Sequence, residues 1–164
     1  MILAIDPGIR GAIAIIGTRG GLCRVKDLPI MKEGKKNIID MKALHGWLWE
    51  FLPSATDTIV MEKVHAMPGQ GVTSMFSFGR TVGQIEGLLN GLPHPSDIVY
   101  VTPQAWKKYH GLIKQPKRAA VELVREKYPD LTWPISKDGR ADAVLMAEFG
   151  RYLLTEKEKG PIIT

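Results

Sequence analysis

Two aspartates one helical turn apart, Asp138 and Asp142, lie in the stretch KDGRADAVLMAEFG near the C-terminus. Apolar residues follow from Ala141 with the spacing of a buried helix, so both carboxylates should lie on one face of it. Two unscreened negative charges at that separation repel each other. The pair therefore predicts either a helix start stabilised by an N-cap and a first-turn charge, or a site that binds a cation.

Two further acids follow apolar, strand-like runs. Asp6 follows ILAI, and Glu62 follows TIVM. Taken singly, Asp6 could stabilise the turn at Pro7-Gly8, and Glu62 could be a solvated strand end. Strand ends and helix starts on one side of an α/β sheet converge, however, so the acids together predict a carboxylate cluster. Its members are Asp6, Glu62, Asp138 and Asp142.

The elements that would position these acids follow a simple order along the chain. Three β-rich runs joined by tight links predict an antiparallel meander, and KKNIID follows as a polar connector. Strands and helices then alternate, which predicts an α/β fold with one five-stranded mixed sheet and helices on both faces. The strands are predicted at 1–6, 11–17, 22–30, 56–64 and 96–103, and the helices at 41–52, 73–90, 103–110, 117–129 and 137–154. We expect residues 1–154 to form one domain and 155–164 a C-terminal tail.

The ligand types narrow the choice of cation. The predicted cluster offers only oxygen atoms, and the single cysteine, Cys23, lies in a strand-like run where it should be a small buried hydrophobe. Such a donor set suits Mg²⁺ or Mn²⁺ rather than Zn²⁺. Two carboxylate-held ions activate water on one side of a phosphorus atom and stabilise the leaving oxygen on the other. Phosphodiester hydrolysis is therefore the predicted reaction, with no small-molecule cofactor.

Positive charge is concentrated in one segment, WKKYHGLIKQPKR. The chain carries a formal net charge of +5, and this segment holds Lys107, Lys108, Lys114, Lys117 and Arg118. It could be an ordinary solvated surface, or it could neutralise nucleic-acid phosphates. No apolar run approaches the roughly 20 residues that span a bilayer. With no recognisable leader and one cysteine, the sequence predicts a cytoplasmic protein without a membrane partner.

Three glycines recur every four residues in the helix predicted at 73–90, namely Gly79, Gly83 and Gly87. Glycine inside a helix costs up to about 1 kcal/mol relative to alanine, so the repeat needs a reason. We call these residues the glycine stripe. It predicts a close contact with another helix or with the sheet, or a subunit interface.

Three motifs together resemble one known family. IDPGIRGAIAI, VMEKVHAMPGQGVTSMFSFGRTVG and KDGRADAVLMAEFG, with TPQAWKK between the last two, resemble the RuvC-type Holliday junction resolvases of the RNase H-like superfamily. The last two motifs look closer to the plant chloroplast resolvase and to phage RuvC-like proteins than to bacterial RuvC. The resemblance covers Met1 to about Tyr152.

The resemblance implies an RNase H-like sheet in a homodimer that binds a four-way DNA junction and nicks two opposed strands. Asp6, Glu62 and Asp142 match the family's catalytic and metal-binding acids. Asp138 matches a position that varies between branches, so its role as a ligand or as a general base stays open.

The resemblance also assigns DNA-binding residues. The loop from His65 to Ser74 corresponds to a segment that enters the junction, where Met67 or Gln70 could touch bases. His65 itself reads as a hydrogen-bonding or DNA-contacting group rather than a metal ligand. Arg80 joins the five basic residues of the lysine-rich segment as a predicted DNA contact. The glycine stripe would fall at or near the dimer interface.

Other functions stay open. A sugar kinase or actin-like ATPase shares the opening DPG…GA, but such enzymes need two domains around the nucleotide, and 164 residues supply one. Another RNase H-like nuclease could use the same acids on flaps, other branched DNA or an RNA–DNA hybrid. A junction-binding protein without catalysis is the third reading, although it should have lost at least one acid.

Overall fold

Seven strands and five helices occur in the computed structural model, which describes residues 1–51, 58–63, 69, 71–92, 97–131, 133–134 and 136–158. The strands are β1 (Ile2–Ile5), β2 (Ala12–Ile16), β3 (Leu22–Asp27), β4 (Ile30–Glu33), β5 (Lys36–Ile39), β6 (Thr58–Glu62) and β7 (Ile98–Val101). The helices are α1 (Met41–Phe51), α2 (Val72–Asn90), α3 (Pro103–Tyr109), α4 (Arg118–Lys127) and α5 (Asp138–Glu158).

Five of the strands form one mixed sheet in the order β3-β2-β1-β6-β7. The β1–β2 and β2–β3 pairs are antiparallel, whereas β1–β6 and β6–β7 are parallel. This confirms the predicted sheet, with three antiparallel strands followed by parallel ones. Its central strands are buried on both faces, which explains why ILAI, AIAII and TIVM read as continuous apolar runs.

Alternate side chains of these strands enter two separate cores. Ile2, Ala4 and Val60 pack with α3, α4 and α5 on one face of the sheet. Leu3, Ile5 and their neighbours pack with α1 and α2 on the other face. The period of two along a strand produces this division, and it confirms that helices cover both faces.

Helix α5 is the most buried helix of the described chain, and it crosses the sheet directly. Its residues from Ala141 to Gly150 are buried apart from Asp142. Gly150 lies so close to β6 that a Cβ atom there would be 2.4 Å from Val60 Cγ2. The buried Glu148 accepts hydrogen bonds from Lys127 and from the Tyr128 hydroxyl, which joins α5 to α4. The position of α5 is therefore fixed by core packing.

The prediction of a polar connector at KKNIID is wrong. Residues 30–39 form a hairpin in which Glu33 pairs with Lys36 across a two-residue turn. Gly34 adopts a φ of 61° there, a left-handed conformation that glycine tolerates without strain. The third predicted strand is shorter than expected for the same reason, because β3 ends at Asp27 and Pro29 precedes the hairpin. The signal for the turn was EGKK between two β-prone runs.

The glycine stripe makes no close contact within the described chain, so the predicted helix–helix or helix–sheet contact does not occur there. All three glycines are exposed, and a Cβ atom built on any of them would meet no atom within 4 Å. The buried side of α2 is instead formed by Thr81, Ile85 and Leu89. The subunit interface stays a prediction.

Two boundary findings complete the fold. Helix α5 continues to Glu158, four residues beyond the predicted end of the domain at residue 154, and residues 159–164 lie outside the described chain. None of the described helices combines the length and the apolar character needed to cross a membrane.

Candidate active site

Asp6 and Glu62 lie side by side at one edge of the sheet. Strands β1 and β6 are parallel neighbours, and the pairing of Ile5 with Met61 places the next residue of each strand at the same edge. Asp6 also organises its own loop, because its Oδ1 accepts a hydrogen bond of 3.1 Å from the Gly8 amide. The turn-stabilising role predicted for Asp6 is therefore present alongside its place in the acid cluster.

The start of α5 is held at the same edge. Gly139 lies against the loop that follows β1, and a Cβ atom there would be 2.2 Å from the Arg10 carbonyl oxygen. Asp27, the last residue of β3, accepts a hydrogen bond of 2.6 Å from Lys137 and pairs with Arg140. These contacts bring Asp138 and Asp142 toward the ends of β1 and β6.

The electrostatics show that all four acids form one cluster. Burial, followed by repulsion from Glu62, raises the pKa of Asp6 to about 6. Burial, followed by repulsion from Asp6, raises the pKa of Asp142 to about 7. Asp138 also repels both of these groups. The four carboxylates thus repel one another, with negative charge that nearby cations only partly offset, and their catalytic and metal-binding roles stay a prediction.

Trp106 and Lys107 on α3 act on the same carboxylates. Trp106 is fully buried, and its Nε1 donates a hydrogen bond of 3.1 Å to Glu62 Oε1. Burial raises the pKa of Glu62, while this hydrogen bond and the charge of Lys107 oppose the rise. Lys107 lies 5.0 Å from the Trp106 ring centroid. The tryptophan therefore orients one carboxylate, and the lysine partly neutralises the cluster.

A cavity of about 330 Å³ opens beside the acids, and we call it the acid cavity. Glu62, Asp138 and Asp142 line it together with three predicted DNA-binding lysines, Lys107, Lys114 and Lys117. Lys117 Nζ is 3.6 Å from Asp138 Oδ2. The cavity is therefore lined by ammonium groups and carboxylates together.

The remaining predicted DNA-binding residues lie elsewhere. Lys108 and Arg118 are exposed beside the acid cavity but do not line it, and Arg118 pairs with Glu122 at 3.8 Å. Arg80 is on α2, 3.7 Å from Glu33 of the hairpin. Met67, Gln70 and His65 lie outside the described residues.

The donor chemistry of the cluster suits a hard divalent cation. All four side chains offer carboxylate oxygens. Burial and, after it, repulsion between the acids raise the pKa values of Asp6 and Asp142, and a bound cation would relieve that repulsion. Within the described ranges, no group of three or more His, Cys, Asp or Glu side chains has the arrangement needed to bind a metal ion. Asp6 and Glu62 instead accept hydrogen bonds from protein donors.

Sequence reasoning missed the residues that position the acids. Trp106 lies within the basic segment WKKYHGLIKQPKR, and its hydrogen bond to Glu62 spans 44 residues of sequence. The Asp27–Arg140 pair spans 113 residues. Only Gly139 had a local signal. Glycine has a low helix propensity, so its presence in the first turn of a helix indicates a close approach of another segment.

Comparison with solved structures shows which proteins share this fold. Thermus thermophilus RuvC in complex with a Holliday junction substrate matches with a TM-score of 0.59 and 14% identity, over 94% of this chain and 95% of that chain. Fowlpox virus resolvase in complex with substrate Holliday junction DNA matches with a TM-score of 0.55 and 16% identity, over 93% and 99%. The yeast mitochondrial Holliday junction resolvase Ydc2 matches with a TM-score of 0.50 and 14% identity, over 96% and 82%. Neither a protein-family model nor a curated protein sequence matches the chain.

The chain therefore has the RNase H-like α/β class of fold. Within that class, the chain shares the architecture of RuvC-type Holliday junction resolvases over nearly its whole length. The resemblance predicted from the three motifs is confirmed at the level of the fold.

Proposed function

We propose that the protein is a structure-selective endonuclease that resolves four-way DNA junctions by metal-dependent nicking of phosphodiester bonds. The observation that carries this function is the cluster of Asp6, Glu62, Asp138 and Asp142 beside a lysine-lined cavity. Two of the proteins that share the fold were solved with Holliday junction DNA, which supports the same substrate here. Residues 1–154 act as a single nuclease domain in this proposal, and the protein works in the cytoplasm.

The acids would hold Mg²⁺, or Mn²⁺ in its place, and the bound ions would supply Lewis acidity at the scissile phosphate and activation of water. The chain's own groups have separate tasks. Asp6, Glu62 and Asp142 provide the oxygen donors, and Asp138 provides another donor or accepts a proton from the attacking water. Lys107, Lys114 and Lys117 attract the phosphate backbone toward the cavity. Trp106 holds the Glu62 carboxylate in place.

The exposed side of α2 supports a homodimer. Val72 and Phe76 are 78% and 74% exposed, and the glycine stripe continues the same exposed side of the helix. Small residues permit close backbone approach, and a two-fold dimer suits a substrate with two equivalent cleavage points. Gly83→Leu should therefore shift the sedimentation coefficient from dimer to monomer. Gly46→Leu, at an exposed position of α1, is the matched control. A wild-type protein that sediments as a monomer would reject the dimer.

Cleavage of labelled synthetic DNA tests the proposed function. We expect paired symmetric nicks in a four-way junction, and none in linear duplex, with Mg²⁺ or Mn²⁺ and not with chelator. Asp142→Asn should abolish cutting while junction binding stays intact or becomes tighter, because negative charge near the phosphates is removed. Asp130→Asn, an exposed carboxylate in the turn after α4, is the control and should cut normally.

Two other outcomes would redirect the proposal. Cutting of a flap or an RNA–DNA hybrid instead of the junction would keep the nuclease chemistry and change the substrate. Tight junction binding with no cutting under either metal would indicate a non-catalytic junction-binding protein.

A further inference from the structure

The β4–β5 hairpin and the first half of α2 enclose a second cavity, of about 350 Å³, which we call the hairpin groove. Its polar lining includes Lys36, Asn37, Arg80 and Gln84. Pro7 and Ile9, from the loop that begins at Asp6, line its end. The groove therefore adjoins the acid cluster on the side of the Asp6 loop. The acid cavity lies elsewhere, between α3, α5 and the segment that precedes α4.

The hairpin is firmly anchored at its base and exposed along its strands. Leu28 before it and Ile39 at its end are 3% exposed and belong to the core beneath α1 and α2. The Asp40 amide donates a hydrogen bond of 2.8 Å to the Pro29 carbonyl, which closes the base. Every residue of β4 is exposed, as are both residues of the turn. The hairpin thus presents its side chains from a fixed position.

The charged side chains of the hairpin are mainly basic. Lys32, Lys35 and Lys36 are exposed, and Glu33 is the one acid between Ile30 and Ile39. Glu33 lies 3.7 Å from Arg80, and the two side chains are 54% and 52% exposed. An ion pair so exposed contributes little to stability. Arg80 can therefore exchange Glu33 for a phosphate at a small cost in free energy.

We propose that the hairpin groove binds the sugar–phosphate backbone of the DNA on the far side of the cleavage site from the acid cavity. The acids then lie between two basic surfaces, Lys107, Lys114 and Lys117 on one side and Lys36 and Arg80 on the other. Lysine and arginine neutralise phosphates, and Asn37 and Gln84 supply further hydrogen-bond donors.

This inference rests on the proposed function, and the test separates the two. Junction binding is measured by fluorescence anisotropy at several salt concentrations, in an Asp142→Asn background so that no DNA is cut. The test variant is Lys36→Ala with Arg80→Ala. The matched control is Arg19→Ala with Lys157→Ala, two exposed cations at the opposite edge of the sheet and at the far end of α5.

The test variant should weaken junction binding about 10-fold and reduce the salt slope of log K by about 2, because two phosphate contacts are lost. The control should change neither. Glu33→Gln should act in the opposite direction and tighten binding about fivefold, since it removes a negative charge beside Arg80. Lys36→Arg with Arg80→Lys should restore most of the affinity, which a purely structural role of the groove would not predict.

A wild-type protein that binds and cuts the junction while test and control variants bind equally would overturn the hairpin groove alone. A wild-type protein that binds no branched DNA at any salt concentration would overturn the proposed function and the groove together.

Discussion

Arg140 binds Asp27 through two hydrogen bonds, from Nε to Oδ1 at 2.6 Å and from Nη2 to Oδ2 at 3.0 Å. The contact joins the last residue of β3, the outermost strand on one side of the sheet, to the first turn of α5. The hydrogen bonds from Arg140 are the main reason that the pKa of Asp27 lies below its usual range. A forked, charge-assisted pair fixes both distance and angle, so it sets where α5 begins relative to the sheet.

Asp27→Asn should lower the free energy of unfolding by about 1 kcal/mol, because the pair is only partly shielded from water. A double-mutant cycle with Arg140→Gln, measured by urea unfolding, should return a coupling of similar size. The folded pKa of Asp27 is lowered, so this stabilisation is present above the ordinary value of 3.8 and is lost as pH falls through the folded pKa. The exposed pair Arg118–Glu122 should couple by at most about 0.5 kcal/mol. Equal couplings for both pairs would contradict the assignment.

Gly139→Ala should displace the start of α5, because the added Cβ would lie 2.2 Å from a backbone oxygen that cannot rotate away. A shift near 1 Å at a catalytic carboxylate lowers turnover by about 10²-fold, so single-turnover junction cleavage should fall steeply. Gly46→Ala in α1 meets no atom within 4 Å and should stabilise the protein by up to about 1 kcal/mol without affecting cleavage. Normal cleavage by Gly139→Ala would show that the contact does not position the acids.

Trp106→Phe should remove the hydrogen bond to Glu62 while most of the ring packing stays. That hydrogen bond opposes the rise in the pKa of Glu62, so its loss should raise the pKa further and move the acidic limb of the pH–rate profile upward. We expect cleavage at neutral pH to drop about 10-fold, since one such bond contributes roughly 1–1.5 kcal/mol.

Trp133→Phe is the matched control for this change. Trp133 is 5% exposed, and its Nε1 has no hydrogen-bond partner among the residues that the structure describes. The pH–rate profile of Trp133→Phe should match that of the wild type even if the free energy of unfolding changes. A profile displaced equally in both variants would assign the effect to packing.

Asp138→Asn should reduce cleavage less than Asp6→Asn. Asp138 lies at the rim of the cluster, where its side chain is 31% exposed and pairs with Lys117. Asp6 directly follows β1, is more deeply buried, and is repelled by both Glu62 and Asp138. The ratio of single-turnover rates, with Mg²⁺ at saturation, measures the difference. Equal losses would make Asp138 a full ligand.

The metal-free protein should become less stable as pH rises from 5 to 8. The folded pKa values of Asp6 and Asp142, about 6 and about 7, exceed the ordinary 3.8, so the folded state holds these protons more tightly than the unfolded state. Their contribution to stability is full below 3.8 and is lost as pH rises through the folded values.

Thermal melts in chelator, at fixed ionic strength, test this dependence. Asp142→Asn should flatten the decline and melt higher than the wild type at pH 8, because the amide carries no charge. Asp130→Asn should leave the decline unchanged. A wild-type melting temperature that is constant from pH 5 to 8 would contradict the raised folded pKa values of Asp6 and Asp142.

The sequence was sufficient where local patterns determine the outcome. Apolar runs such as ILAI and TIVM predicted central strands, and the acids that end them therefore fell at one edge of the sheet. The hairpin was missed because its strands are short and exposed, which removes the hydrophobic signal. The glycine stripe misled because helical spacing shows which residues share a side, but not whether the chain itself covers that side.

Contacts between distant residues could not be predicted from spacing. The indole of Trp106 reaches Glu62, and the guanidinium of Arg140 reaches Asp27, only after the sheet and α5 have packed. Their geometry depends on the depth at which α5 lies against the sheet, which Gly139 and Gly150 permit. No local propensity encodes that depth.

The burial of β1, β6 and α5 has a consequence for how the protein loses function on heating. The candidate catalytic carboxylates are carried by the segments whose amide hydrogens should exchange slowest with solvent, because exposing them requires the whole domain to open. Local opening therefore cannot rearrange the acids while the rest of the molecule stays folded. Thermal inactivation and the calorimetric transition should coincide, without an inactive native-like state between them.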